Sequence, residues 1–140
     1  VNNRNGKLKQ SGVEMSYSWI GESDRLTLFS NSLSSKKADG NDQLRRPETI
    51  LGFNYAKDFD NGFGLVTNYK FKGEHLDVHN SNYSTITMKE LHMLDLTITK
   101  KYFNYDLGVN ISNLFDEDYE SPHGFSQEGL GLNFVIKSRF

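Results

Sequence analysis

The feature that most constrains this chain is the rhythm of its connections. Stretches in which apolar and polar residues alternate are joined by breaks that run short, long, short, long, short, long. The short ones fall at 21–24, 57–62 and 101–104, the long polar ones near 35–47, 73–87 and 116–129. Strict alternation places successive side chains on opposite faces of a β-strand, and no helical period is sustained anywhere. A soluble sandwich has no reason to sort its loops, since both ends meet the same water. A transmembrane barrel has one, with tight turns on the periplasmic side and longer loops outside.

The strands follow from the alternation. Val13, Met15, Tyr17 and Trp19 share one phase, as do Leu51, Phe53 and Tyr55, then Phe63, Leu65, Tyr69 and Phe71. Leu94, Leu96 and Ile98, then Leu107, Val109 and Ile111, then Leu132, Phe134, Ile136 and Phe140 continue the pattern. Between 24 and 34 the phase breaks: Leu26 and Leu28 start one way, whereas Phe29 and Leu33 fall on the other. A bulge that resets the phase is the expectation there. Glu14, Lys70, Asp95, Lys137 and Arg139 all fall on the polar phase, where a barrel would face them to its interior. Aromatics cluster near strand ends (Trp19, Tyr55, Phe63, Phe71, Tyr102, Tyr105, Phe140), as an interfacial girdle requires.

Composition fits a protein greasy on one face and wet on the other. Ten Phe, seven Tyr and one Trp accompany a mean hydropathy of −0.63. A formal charge of −2 gives no basic field that would recommend nucleic acid. The absence of cysteine excludes a disulfide scaffold and a thiolate zinc site. No apolar run is long enough for a membrane-spanning helix. Seven strands cannot close a barrel, because bacterial single-chain barrels have even strand numbers from about eight upward. The remaining strands are expected before Val1.

Four carboxylates, Asp116, Glu117, Asp118 and Glu120, crowd the stretch that follows Asn113. A calcium site is one reading, but the spacing matches no calcium loop, and a strand exit shaped by Asp116 and Tyr119 is favoured. His75, His79, His92 and His123 show no metal spacing, since an i, i+4 pair aligns ligands only on a helix. No nucleophile elbow is present, and neither Gly62–Gly64 nor Gly129–Gly131 precedes a helix as a phosphate loop would. The basic runs near Lys7–Lys9 and at Lys36–Lys37 suit solvated loops. No catalysis, metal or cofactor is expected.

Motifs then add to this reading. "ISNLFDEDYE", a loop and a last strand ending in Phe140 resemble the C-terminus of TonB-dependent outer-membrane transporters, whose N-L-F-D-x-x-Y motif matches Asn113, Leu114, Phe115, Asp116 and Tyr119. Upstream, "SGVEMSYSW" (Ser11–Trp19), "LRRPE" (Leu44–Glu48), "YKFKGEHLD" (Tyr69–Asp77) and "MKELHMLDL" (Met88–Leu96) are similar to family segments in the same order. The set looks closest to cobalamin receptors, with siderophore receptors next. The chain departs from the family at Glu128-Gly129-Leu130, where Pro-Gly-Arg is frequent, and at Ser138, where an aromatic is common.

The resemblance implies that residues 1–140 are the C-terminal part of the barrel domain, an all-β antiparallel transmembrane β-barrel of about 22 strands. It implies uptake of a scarce metal chelate, cobalamin or a ferric siderophore, driven by the TonB–ExbB–ExbD complex through a plug region outside this chain. Other implied partners are outer-membrane lipid, lipopolysaccharide and the barrel-assembly machinery, which would read Phe134, Ile136 and Phe140. Asp77, Asn80, Tyr83, Tyr119, His123 and Phe125 are the expected ligand-contacting residues of the loops, where aromatic and polar groups mix. The rival readings are a passive porin-like or other outer-membrane barrel, such as one with an enzymatic or adhesive role, and a soluble β-sandwich binding module.

Overall fold

The computed structural model describes residues 8–37 and 39–138; Phe140, of the expected assembly signal, lies outside them. Among the described residues nine strands form, and no helix is long and apolar enough to cross a membrane. They are β1 (Lys9–Ile20), β2 (Asp24–Lys36), β3 (Thr49–Asp58), β4 (Phe63–Lys72), β5 (His75–Val78), β6 (Thr85–Met88), β7 (Leu91–Tyr102), β8 (Tyr105–Ser112) and β9 (Gly131–Ser138). Seven of them make one antiparallel sheet in the order β1-β2-β3-β4-β7-β8-β9. Each joins its sequence neighbour, except that β5 and β6 form a separate hairpin inside the connection from β4 to β7. That hairpin falls where the sequence reads as an unstructured polar loop. Its strands are four residues each, too short for alternation to register, and His79 N–H to Ser84 C=O (2.9 Å) closes it.

Register carries the two-faced pattern across the sheet. Tyr17 pairs with Leu28, Leu28 with Phe53 and Phe53 with Tyr69; further along, Ile98 pairs with Val109 and Val109 with Phe134. Directly paired residues point to the same side, so these side chains build one continuous apolar face. The opposite face is polar: Asn54 pairs with Asn68, Asn68 with Asp95 and Asn110 with Asn133. On it Asn31 donates a 2.9 Å hydrogen bond to Glu14 from the neighbouring strand.

Among the described residues no apolar side chain is fully buried; Met15 is 65% exposed, Phe134 67% and Ile136 72%. A soluble domain stabilised by the hydrophobic effect buries one such face against a second layer. Among the described residues no second layer covers this sheet, and the apolar face is left for another medium to cover.

The expected bulge in β2 is absent. Pairing with β1 runs unbroken from Lys9–Lys36 to Ile20–Arg25. Phe29 and Leu33 instead sit on the polar face, each opposite a glycine: Phe29 pairs with Gly52, and Leu33 with Gly12. A Cβ on Gly52 would lie 2.6 Å from the Phe29 ring and 2.1 Å from the Tyr69 carbonyl oxygen. The aromatic thus covers a glycine across the strand, a device that stabilises pairing where no side chain can help. Gly52→Ala is expected to lower the stability of the full-length barrel by about 1–3 kcal/mol through overpacking. The urea unfolding midpoint checks this, and Phe29→Ala in the same background should relieve most of the clash with the ring.

Candidate functional site: the loop crown

All three long connections leave the same end of the sheet: L1 (37–48), L2 (73–90, containing β5 and β6) and L3 (113–130). The short turns at 21–23, 59–62 and 103–104 lie at the other end.

The strand exit into L3 is built by the N-L-F-D segment. Asn113 is 2% exposed and takes a left-handed backbone conformation, φ 50°, which asparagine tolerates better than most residues. Its N–H donates to Asp95 Oδ1 on β7 (2.9 Å). Its side chain accepts from Glu117 N–H (3.0 Å) and donates to the carbonyls of Glu117 (3.0 Å) and Glu128 (3.4 Å). Asp116 follows at φ 52° and accepts from Leu130 N–H (2.8 Å) at the far end of L3. Glu120 accepts from Gly124 N–H (2.6 Å). Carboxylates of the acidic run therefore bind backbone amides and shape a turn. No group of three or more metal-ligating side chains occurs among the described residues.

Asp77 joins the three connections. It is 1% exposed, on β5 in L2. Oδ1 accepts from Arg45 Nε of L1 (2.6 Å) and from Val78 N–H (2.7 Å), and Oδ2 accepts from His123 N–H of L3 (2.9 Å). Burial alone would raise the carboxyl pKa, but the bonds from His123, Arg45 and Val78 outweigh it and bring it down to about 2. Arg45 takes the left-handed conformation (φ 61°) and adds a backbone bond from its N–H to Leu76 C=O (2.6 Å). Asn80 N–H donates to His123 Nδ1 (3.3 Å), and the His79 and His123 rings lie 4.7 Å apart. Gly124, at φ 84°, is pressed so closely to Asn80 that a Cβ would sit 2.2 Å from its side-chain amide.

Of the expected ligand-contacting residues, Asp77, Asn80 and His123 are thus brought together, yet Asp77 spends both carboxylate oxygens on holding loops to each other. Tyr83 stands at the tip of the β5–β6 hairpin, 79% exposed, and Phe125 is 63% exposed on L3. Tyr119 has the most central place. It borders a cavity of about 630 Å³ between L2 and L3, whose walls include Lys72, His75, Glu90, Glu117 and His123. It also borders a second cavity of about 380 Å³ over the polar sheet face, with Phe29, Lys70, Met93 and Asp95.

His75, Lys70 and Lys72 were not among the site residues expected from sequence. Burial, then the Lys72 ammonium, push the His75 imidazole below its ordinary value, and its Nδ1 is buried without a hydrogen-bond partner. All three residues fall inside the YKFKGEHLD segment, but nothing in it marks them as site residues; the convergence of L2 and L3 creates their setting. His92 lies elsewhere, on the apolar face, where its Nδ1 meets the Tyr69 hydroxyl (2.9 Å) and its ring lies 4.9 Å from that of Phe71.

An antiparallel meander with a polar face, an uncovered apolar face and long connections at one end has the form of a stretch of β-barrel wall. The chain superimposes on the pyoverdine outer membrane receptor FpvA of Pseudomonas aeruginosa, bound to pyoverdine, with a TM-score of 0.83 and 16% identity over 95% of this chain and 22% of that one. The ferripyoverdine receptor of the outer membrane of the same organism, bound to ferripyoverdine, gives a TM-score of 0.80 at 17% identity over 92% of this chain and 19% of that one. The FpvAI complex with pyocin S2 gives 0.83 at 16% identity over 94% and 20%. The chain therefore spans about a fifth of the length of these structures. No family model and no curated protein matches it.

Proposed function

We propose that the chain is the C-terminal barrel portion of a TonB-dependent outer-membrane receptor that takes up a ferric siderophore. The observation that carries this is the uncovered apolar face of a sheet that superimposes on receptor barrels over nearly its whole length. A soluble sandwich would bury that face, so that rival loses its footing. The superimposed receptors carry pyoverdine, which favours a siderophore over cobalamin as cargo. The N-L-F-D-x-x-Y and L-R-R-P segments add the sequence resemblance to the TonB-dependent family.

In this reading the chain supplies barrel wall, three loops of the outer vestibule and the C-terminal assembly signal. Energy would come from the TonB–ExbB–ExbD complex acting on a plug outside this chain. The polar sheet face lines the passage, and the vestibule walls mix the donors Lys70, Lys72 and His75 with the carboxylates Glu90, Glu117, Asp118 and Glu120, a polar lining able to hydrogen-bond a hydrophilic chelate. No covalent chemistry is involved.

The test uses the full-length protein. Its deletion should impair growth on the cognate ferric siderophore under iron limitation, and purified protein should bind that chelate. Tyr119→Ala is expected to weaken binding about tenfold, the loss of one well-placed aromatic contact. Tyr83→Ala and Phe125→Ala, at exposed tips, should cost less. Unchanged affinity in Tyr119→Ala would remove the vestibule from the account, and iron uptake that ignores the deletion would remove the transport role.

A further inference from the structure

The apolar face carries one charged side chain in an unusual setting. Lys100 pairs with Phe63 across β4–β7 and with Leu107 across β7–β8, so it belongs to the apolar row. Its Nζ lies 4.1 Å from the centre of the Phe63 ring and donates to the Asn61 carbonyl in the 59–62 turn (2.5 Å). Neither partner neutralises the ammonium. Beside it a groove of about 330 Å³ runs along the sheet, walled by Phe63, Ile98, Leu107, Val109, Phe134 and Ile136. Its walls are almost wholly hydrocarbon, and among the described residues Lys100 is the one cation on its border.

We propose that this groove and Lys100 form a site for an anionic phospholipid of the inner leaflet. One acyl chain would lie along the groove and the phosphate would meet the Lys100 ammonium. The inference rests on the membrane-barrel reading above, which puts the short-turn end at the periplasmic interface. Lys100 stands two positions before the end of β7, level with the first residue of β4. A lysine on the lipid face is costly at mid-membrane but nearly free of that cost near an interface. At this depth its charge is tolerable, and the headgroup layer is within reach of a snorkelling side chain.

Two features make this a site rather than general lipid contact. The cation–π stack on Phe63 and the Asn61 carbonyl fix the direction of a side chain that would otherwise sample many rotamers. Two of the ammonium's three N–H donors can still reach a phosphate oxygen, a charge-assisted bond. The ligand class follows from both halves: a fatty chain for the hydrocarbon walls, and a phosphate diester for the lysine.

Full-length protein, delipidated in detergent, would be titrated with phosphatidylglycerol and bound lipid counted by native mass spectrometry. One tightly held phosphatidylglycerol per protein is expected. Lys100→Gln should lower its affinity about tenfold, and Val109→Phe, which fills the groove, should lower it similarly. Lys89→Gln, in L2 at the opposite end, should leave it unchanged. Diacylglycerol, which lacks the phosphate, and glycerol phosphate, which lacks the chains, should bind far more weakly.

Equal retention of phosphatidylglycerol by wild type and Lys100→Gln, or of diacylglycerol and phosphatidylglycerol by wild type, overturns the site. Heat-modifiable gel mobility separates this failure from that of the barrel reading: a folded barrel that binds these lipids indiscriminately sinks the site alone. Protein that stays dispersed and folded without detergent sinks both.

Discussion

Replacing Asp77 with Ala in the full-length protein is expected to release the three long connections from one another. The change leaves the Val78 and His123 amides without an acceptor and the Arg45 guanidinium without its counter-charge. Arg45 is 59% exposed and can turn to water, so its share is modest; the amides at a carboxylate only 1% exposed lose more. Hydrogen bonds to a charged group contribute about 1.5–3 kcal/mol each, so a local loss near 3 kcal/mol is expected. Hydrogen exchange should show it directly, with protection of the Val78 and His123 amides falling roughly 10²-fold. Strand amides of β3 and β8 should keep theirs. Asp77→Asn preserves the shape but not the charge, and should fall between the two.

The same carboxylate sets a pH dependence. Its pKa falls from the ordinary 3.8 to about 2 when the crown assembles. A depressed carboxylate contributes stability that is complete above its unfolded value and is lost as pH falls through its folded one. The crown should thus be intact at pH 5 and loosen as the pH drops from about 4 toward 2. Asp77→Asn should lack that transition. Protection that is indifferent to Asp77→Ala would mean that the loops are held by the Asn80–His123–Gly124 contacts instead.

The strands were legible because alternation is local, and a few residues of β3, β7 or β8 suffice to show which face is which. The connection rhythm was legible for the same reason, since Asn61-Gly62 and the Gly21-Glu22-Ser23 break are short and unmistakable. Phe29 and Leu33 misled because their partners, Gly52 and Gly12, lie on neighbouring strands, and only the register shows that a glycine makes room for each. The β5–β6 hairpin was hidden by its length. Asp77 looked like a ligand group because it sits in polar sequence. Its donors come from residues 45 and 123, and such an encounter of three loops leaves no trace in the neighbourhood of any one of them. Asp116, by contrast, was readable as a turn builder from its own segment. Asn113 stood out there only as a motif residue, and its buried bonds to Glu117 and Glu128 appear only in the fold.

Asn113 carries the second large expectation. Asn113→Ala in the full-length barrel should lower stability by about 3–5 kcal/mol, from two separable causes. A left-handed backbone costs an alanine about 1–2 kcal/mol more than it costs asparagine or glycine. The buried bonds to Glu117 and Glu128 account for the rest, at about 1 kcal/mol each plus the cost of leaving the Glu117 amide unsatisfied. Asn113→Gly separates them, because it keeps the backbone conformation and loses only the side-chain bonds. Its urea midpoint should lie between those of Asn113→Ala and wild type. Chymotrypsin, which cuts after the aromatic residues Phe115, Tyr119 and Phe125 of L3, should report the same order, with L3 cleaved fastest in the alanine variant. Identical midpoints for the alanine and glycine variants would assign the whole effect to hydrogen bonding. A wild-type midpoint for Asn113→Ala would mean that β8–β9 pairing fixes the strand exit by itself, leaving the N-L-F-D segment without the structural role its geometry indicates.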